Sequence, residues 1–149
     1  MASSNEKKKE NQLRSQTAEF WDGHDSHAWQ SLLNVPAIYL FETVPSTNDI
    51  ARELAESGAP TLTTVLADHQ THGRGRGGND WLSSPGSSLL CSFVFRMSGG
   101  AADAVGAAPI RIGLAVADAI EHVAGVDASV KWPNDVVIKE HGKTAGILC

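Results

Sequence analysis

The chain has 149 residues, of which 42% are hydrophobic, and this is enough for one domain with a hydrophobic core. Its formal net charge is −5; the first sixteen residues contain four basic and two acidic side chains, so the remainder carries −7. An acidic body disfavours a general nucleic-acid-binding surface. No apolar run approaches the length of a membrane span, and the first ten residues, MASSNEKKKE, lack the apolar centre of a signal peptide.

Cysteine and histidine usage indicates a reducing compartment and no resident metal site. Cys91 and Cys149 form neither a disulfide framework nor a metal-ligand spacing, which favours a cytoplasmic protein. His24, Asp25 and His27 make the one tight cluster of possible metal ligands, but their spacing matches no helical or turn-based site. We therefore predict that no protein-borne metal site is present.

Composition divides the chain into three segments. Residues 1–16 are polar, charged and without periodicity, and we predict a disordered tail. Residues 17–36 form an arm of unknown role that packs on the domain as a helix or an irregular segment. The large aromatic residues of this arm are Phe20, Trp21 and Trp29. Residues 37–149 form the domain itself.

Strands and helices follow one another along this domain. Strands are predicted over residues 37–41, 62–67, 88–96, 128–132, 136–139 and 144–149. The first strand is followed by a helix with Ser46 at its N-cap and Gly58 after its end. A second helix is predicted over 109–124, with Pro109 as its first residue. Apolar residues on both faces of strand 88–96 predict burial on both sides.

A loop from Gly73 to Gly78 contains four glycines and two arginines. Backbone N–H groups can approach a ligand's oxygens where no Cβ intervenes, and Arg74 and Arg76 add positive charge, so the loop predicts an anion site. Its spacing also fits the dinucleotide fingerprint, but no helix follows, and no Lys-Ser or Lys-Thr pair completes a P-loop. Taken alone, the loop could equally be a flexible, solvated segment.

Three sequence segments, in this order, resemble the catalytic domain of biotin protein ligases. They are PSTN at 45–48, GRGRGGNDWLSSPGSSLLCSFVFR at 73–96 and KWPNDVVIKEHGKTAGIL at 131–148. The resemblance covers about residues 39 to 149 and is to the monofunctional ligases, because no helix-turn-helix is recognised before the domain. It implies an α/β (α+β) fold with a mixed sheet flanked by helices, similar to the cores of class II aminoacyl-tRNA synthetases, with the chain ending before the fold is complete.

The resemblance also implies a reaction in two steps. The carboxylate of biotin attacks the α-phosphorus of ATP to give biotinyl-5′-adenylate and pyrophosphate, with Mg²⁺ present. A lysine of a biotin-acceptor domain, carried by a biotin-dependent carboxylase, then attacks the mixed anhydride. Because the first step brings two anions together, cations and N–H donors must offset their repulsion. Neither nucleic acid nor membrane is an expected partner, and the oligomeric state is not indicated.

Charged and amide residues are assigned to the chemistry by the same resemblance. Lys143 and Arg76 are expected to contact both the biotin carboxylate and the α-phosphate, and Asp135 is expected to orient Lys143 or the metal. These three are the expected catalytic residues. The expected nucleotide contacts are Arg76, Lys131, Asn134 and Lys143.

The biotin contacts are implied in the same way. Ser46, Thr47 and Gln70 are expected to form hydrogen bonds with the ureido end, and Trp81 is expected to form part of the apolar wall. The full set of expected biotin contacts is Ser46, Thr47, Asn48, Gln70, Gly73, Arg74 and Trp81.

Some of the residues in these motifs can instead have a purely structural role. Ser46 can be a helix N-cap and nothing more, Trp132–Pro133 can be a packed turn, and Lys131 can be an exposed strand lysine. Two other functions also remain: a non-catalytic remnant that binds biotin or the adenylate, and a lipoate or octanoyl transferase of related fold. The GRGRGG and KWPND pairing disfavours the transferase.

Overall fold

The computed structural model describes residues 16–96 and 102–149. The tail predicted for residues 1–16 lies outside this described part, apart from Gln16. The described residues form two compact units: one contains 16–74 and 78–96, and the other contains 75–77 and 102–149.

The first unit begins with the arm. Strands β1 (Phe20–Trp21) and β2 (His24–Asp25) pair as a short antiparallel hairpin, and helix α1 (Ser26–Leu33) follows directly. Asp25 caps this helix, because its carboxylate accepts the N–H of Ala28 at 2.7 Å. The helix is one of the two forms expected for the arm, whereas the hairpin before it was not predicted.

A mixed three-stranded sheet forms the centre of this unit. Its strands are β3 (Ile38–Val44), β4 (Thr64–Gln70) and β5 (Leu90–Phe93), in the order β3-β4-β5. β3 and β4 run parallel, with helix α2 (Thr47–Glu56) connecting them, whereas β4 and β5 run antiparallel. The predicted combination of a mixed sheet with helices is confirmed.

Both faces of the sheet carry a hydrophobic core. On one face α2 packs on a cluster formed by Tyr39, Phe41, Val44, Ala51, Leu54, Val65, Ala67 and Val94. On the other face the arm covers Ile38, Leu40 and Leu66 with Trp21 and Trp29. Each fully buried side chain of this size contributes about 1.5–3 kcal/mol.

Polar bonds hold the arm in place. The indole N–H of Trp21 donates to Asp68 Oδ1 at 2.7 Å, and the indole N–H of Trp29 donates to the carbonyl of Trp21 at 2.7 Å. The backbone N–H of Ala18 donates to the carbonyl of Leu40 at 2.7 Å. The arm thus packs as one layer of the unit.

Beside the arm, burial raises the pKa of the Cys91 thiol, which therefore stays protonated at neutral pH.

The second unit consists of one long helix and a second three-stranded sheet. Helix α3 (Ala102–Ala124) packs against β6 (Ala128–Lys131) and β7 (Asp135–Ile138). Strand β8 (Gly142–Gly146) completes an antiparallel sheet in the order β6-β7-β8. Val136 is fully buried in this unit. The strand predicted over 144–149 is therefore present as β8, but it begins and ends earlier and pairs with β7.

Two predicted elements need correction. Pro109 lies inside α3 and does not begin it. An alanine-rich stretch precedes this proline, so the helix extends through it despite the hydrogen bond that a proline cannot donate. Strand 88–96 is also shorter and less buried than predicted. Leu90 and Val94 are buried, but Phe93 is 46% and Phe95 is 55% exposed. Alternation shows which residues share a face but not whether that face is covered.

Within residues 16–96 and 102–149, no helix combines the length and the apolar character that a membrane crossing requires.

Candidate active site

The turn between β3 and α2 carries the first group of predicted site residues. Ser46 occupies the N-cap position with an extended φ of −159°, and it is 2% exposed. Its hydroxyl makes no capping hydrogen bond, so helix capping does not account for the side chain. Thr47 is 4% exposed at the first position of α2, and Asn48 follows, half-buried.

Thr47 and Gln70 meet although they are 23 residues apart. The backbone N–H of Thr47 donates to Gln70 Oε1 at 2.7 Å, and the Thr47 hydroxyl lies 3.0 Å from the same oxygen. The hydroxyl also lies 2.9 Å from Ser92 Oγ, in β5. Sequence reasoning missed Ser92, for which the only signal was one polar residue inside an apolar strand. The unit thus contains a neutral network, Thr47–Gln70–Ser92.

The glycine loop is fixed at its base. The N–H of Thr71 donates to the carbonyl of Val44 at 3.0 Å, and the N–H of Trp81 donates to the carbonyl of Gly73 at 2.9 Å. A Cβ on Gly73 would lie 2.5 Å from the carbonyl oxygen of Trp81 and 2.8 Å from Gln70 Nε2. Only glycine fits this close approach without displacing backbone. Gly73, Gln70 and Trp81, all expected biotin contacts, are therefore neighbours.

The first arginine of the loop is paired with an acid. Arg74 forms an ion pair with Asp49, in the first turn of α2, and the two side chains are 46% and 38% exposed. Asp49 was not predicted as a site residue. Its position three residues after Ser46 connects the loop to the turn that carries Ser46 and Thr47.

A second cluster lies in the second unit. Lys143 Nζ contacts Asp135 Oδ1 at 2.9 Å, and Arg76 Nη1 lies 3.5 Å from Asn134 Oδ1. Asn134 is itself held by Ile147: its Nδ2 donates to the carbonyl of Ile147 at 3.0 Å, and the N–H of Ile147 donates to its carbonyl at 2.8 Å. Arg76 and Lys143 thus contact two successive residues, although 67 positions separate them in the chain.

The turn from β6 to β7 is open to solvent. Lys131 is exposed at the end of β6 and pairs in register with Asp135. Trp132 is 77% exposed, and the bond from Trp132 to Pro133 is cis. The interpretation of Trp132–Pro133 as a packed turn is therefore wrong for the tryptophan, because most of its side chain is exposed.

The sequence profile of the Biotin/lipoate A/B protein ligase family matches residues 40–149. The chain belongs to this family. A biotin--[acetyl-CoA-carboxylase] ligase of Mycobacterium tuberculosis is 38% identical over 107 residues, which are 69% of this chain and 40% of that protein.

Solved structures of biotin protein ligases show the same fold. The Leishmania major ligase in complex with biotin superimposes with a TM-score of 0.64 at 31% identity, covering 76% of this chain and 50% of that one. The Aquifex aeolicus ligase in complex with biotin and ATP gives 0.60 at 33% identity, covering 74% and 45%. The chain spans less than half the length of the curated relatives it matches and about half of these structures.

Within the part of this ligase-family chain that the structure describes, a shallow, open cavity of about 460 Å³ lies beside Gln70 in the first unit. The cavity is lined by His69, Gln70, Thr71, Leu82, Ser83 and Ser84. His69 Nδ1 and Ser83 Oγ are buried without a hydrogen-bond partner among the described residues, which suits a polar ligand. In the same described part, no three His, Cys, Asp or Glu side chains could together hold a metal ion.

Proposed function

We propose that the chain catalyses the ATP-dependent ligation of biotin to a lysine of an acceptor protein, through biotinyl-5′-adenylate. The observation that carries this proposal is the contact between Thr47 and Gln70 beside the Gly73 loop, in a member of the biotin/lipoate ligase family. The Aquifex aeolicus neighbour, in complex with biotin and ATP, supports both substrates. The Mycobacterium tuberculosis relative, a biotin--[acetyl-CoA-carboxylase] ligase, supports a carboxylase's biotin-acceptor domain as the partner.

Biotin presents a neutral ureido ring on an apolar bicycle, so its recognition needs a few polar groups at fixed positions. We assign the ureido end to Ser46, Thr47 and Gln70, which are buried or half-buried. Trp81 supplies the wall for the bicycle. The remaining biotin-side residues are Asn48, Gly73 and Arg74.

Joining a carboxylate to a triphosphate requires positive charge where negative charge accumulates. We assign this role to Lys143 and Arg76, with Lys131 and Asn134 as further nucleotide contacts. Asp135, 2.9 Å from Lys143 Nζ, orients the ammonium group.

Magnesium enters as Mg·ATP, because Mg²⁺ takes one or two carboxylates together with substrate phosphates and not an all-protein cage. Asp135 is the carboxylate of this cluster that suits it. When bound, the ion supplies charge neutralisation for the leaving pyrophosphate.

The proposed compartment is the cytoplasm, because Cys91 and Cys149 are both free thiols.

Incubation of the chain with biotin, Mg·ATP and a biotin-acceptor domain tests the proposal. We expect pyrophosphate release and a biotin label on the acceptor lysine. Pyrophosphate release without label would restrict the activity to adenylate formation. If neither product forms although biotin binds, the chain is a binding protein and the proposed ligation is wrong.

A further inference from the structure

The directions of the hydrogen bonds around Thr47 follow from its backbone. A backbone N–H can only donate, so the atom of Gln70 that faces it at 2.7 Å must be the carbonyl oxygen Oε1. The Thr47 hydroxyl, 3.0 Å from the same oxygen, must then donate to it, since two acceptors would repel each other.

This leaves one role for Ser92. The single proton of the Thr47 hydroxyl is used on Gln70, so the 2.9 Å contact between Thr47 Oγ1 and Ser92 Oγ requires Ser92 to donate. The bonds therefore run one way, from Ser92 to Thr47 to Gln70. If Ser92 accepted instead, the Thr47 oxygen would face Gln70 Oε1 without a proton between them.

We propose that Ser92 is a positioning residue for biotin binding: it directs the Thr47 hydroxyl onto Gln70 and so holds the Gln70 amide with its Nε2 donors turned towards the ligand. This inference rests on the proposed function, since it assumes that Gln70 contacts the ureido end of biotin.

The fixed amide determines what Gln70 can recognise. Both lone pairs of Oε1 are used by Thr47, so the part of Gln70 left for a ligand is the NH₂ group. Nε2 would lie 2.8 Å from a Cβ on Gly73, so the glycine keeps the NH₂ group from being displaced by a side chain. A ureido group has one good acceptor, its carbonyl oxygen, and that oxygen is the partner for Gln70 Nε2.

Variants of Ser92 separate positioning from space filling. Ser92→Ala removes the hydroxyl, and Ser92→Thr retains it. Ser87→Ala is the matched control, because Ser87 Oγ also makes one hydrogen bond in the same unit, to the carbonyl of Ser84 at 2.7 Å. If Ser92→Ala does not fold, Ser92→Cys replaces it, with similar volume and a weaker donor.

Two measurements are made on each protein. Side-chain ¹⁵N relaxation of the Gln70 NH₂ group, without ligand, reports whether the amide is held. Calorimetric titration with biotin reports affinity. We expect Ser92→Ala to increase the mobility of the Gln70 amide and to weaken biotin binding about five-fold, the effect of one lost hydrogen bond. Ser92→Thr should keep both values near wild type, and Ser87→Ala should change neither.

The two measurements test different parts of the proposal. If Ser92→Ala leaves the Gln70 amide as ordered as in the wild type, the positioning role is wrong, whatever happens to affinity. An affinity loss shared equally by Ser92→Ala and Ser92→Thr would also overturn it, since the hydroxyl would then be irrelevant. Absence of biotin binding in the wild type would overturn the proposed function, while the relaxation data would still decide the role of Ser92.

Discussion

The neutral cluster of candidate site residues in the first unit and the charged cluster in the second unit are built in different ways. In the first unit, Thr47 is 4% exposed and is hydrogen-bonded to both Gln70 and Ser92. In the second unit, the ion pair of Lys143 with Asp135 is open to solvent, with side chains 45% and 25% exposed.

The difference follows from the ligands that each set is proposed to meet. A neutral ureido group gains only about 1 kcal/mol per hydrogen bond, so its partners must already be aligned. Anions interact strongly with cations, and an exposed ion pair contributes only about 0–1 kcal/mol, so Lys143 can leave Asp135 at little cost. We therefore infer that the hydrogen bonds of the neutral network persist when the ligands bind. The ion pair of Lys143 with Asp135 is instead replaced by a contact of Lys143 with the anionic ligand.

Removal of a central cation should have the largest effect. Lys143→Ala should lower biotin-dependent ATP–pyrophosphate exchange by about 100-fold or more, because one of the two cations assigned to offset the repulsion between the carboxylate and the α-phosphate is then missing. Lys139→Ala, which removes the same charge from an exposed position beside β7, is the control. Undiminished exchange in Lys143→Ala would remove this residue from its role.

Arg76→Gly should weaken retention of the activated biotin. A loss of about ten-fold in affinity for the anionic adenylate corresponds to about 1.4 kcal/mol. The adenylate should then escape and label amines of a bystander protein that has no acceptor domain, which blotting for biotin detects. Arg76→Lys keeps the charge and should label the bystander much less; equal labelling by both variants would contradict a role for the charge.

Gly73→Ala tests the close packing of Gly73 against Trp81 and Gln70, next to the neutral network. The added Cβ would meet the carbonyl oxygen of Trp81 at 2.5 Å, and overpacking of this kind costs roughly 1–3 kcal/mol. We expect biotin affinity, measured by calorimetry, to fall about ten-fold. Gly106→Ala in α3, where an added Cβ meets no atom within 4 Å, should leave affinity unchanged. Equal affinities in the two variants would show that the contact of Gly73 with Trp81 does not shape the site.

Asp49→Asn should have the smallest effect. The exposed pair of Arg74 with Asp49 contributes about 0–1 kcal/mol, so biotin affinity should change only about two-fold at low salt, and less at high salt. Titrations at two ionic strengths provide the measurement. A larger change in affinity that does not depend on salt would show that the Arg74–Asp49 pair is held as firmly as the neutral network. It would then contradict the distinction drawn between the neutral network and the exposed ion pairs.

Local patterns predicted much of this fold. Ser46 before α2, Gly58 after it and the apolar runs of β3 and β4 are short-range signals, and the structure confirms these elements. The contact of Thr47 with Gln70 agrees with their joint assignment to one ligand. Their roles towards biotin stay predictions until binding is measured.

The features that the sequence did not predict all depend on tertiary packing. Nothing near Ser92 in the sequence indicates that it meets Thr47, because the contact depends on how β5 pairs with β4. Likewise, the exposure of Phe93 could not be predicted from alternation, since coverage of a sheet face depends on distant elements. The packing of the arm on the domain was predicted, but the partner of Trp21 was not, because Asp68 lies 47 residues away in the sequence.

The division between neutral and charged recognition is tested most directly with biotin methyl ester, which keeps the ureido ring but lacks the carboxylate charge. Calorimetric titration of the ester into Thr47→Val and into Lys143→Ala compares the neutral network with the charged cluster by means of one ligand. We predict that Thr47→Val binds the ester about five-fold more weakly than wild type, while Lys143→Ala stays within about two-fold. An equal loss in both variants, or a loss in Lys143→Ala alone, would contradict the account.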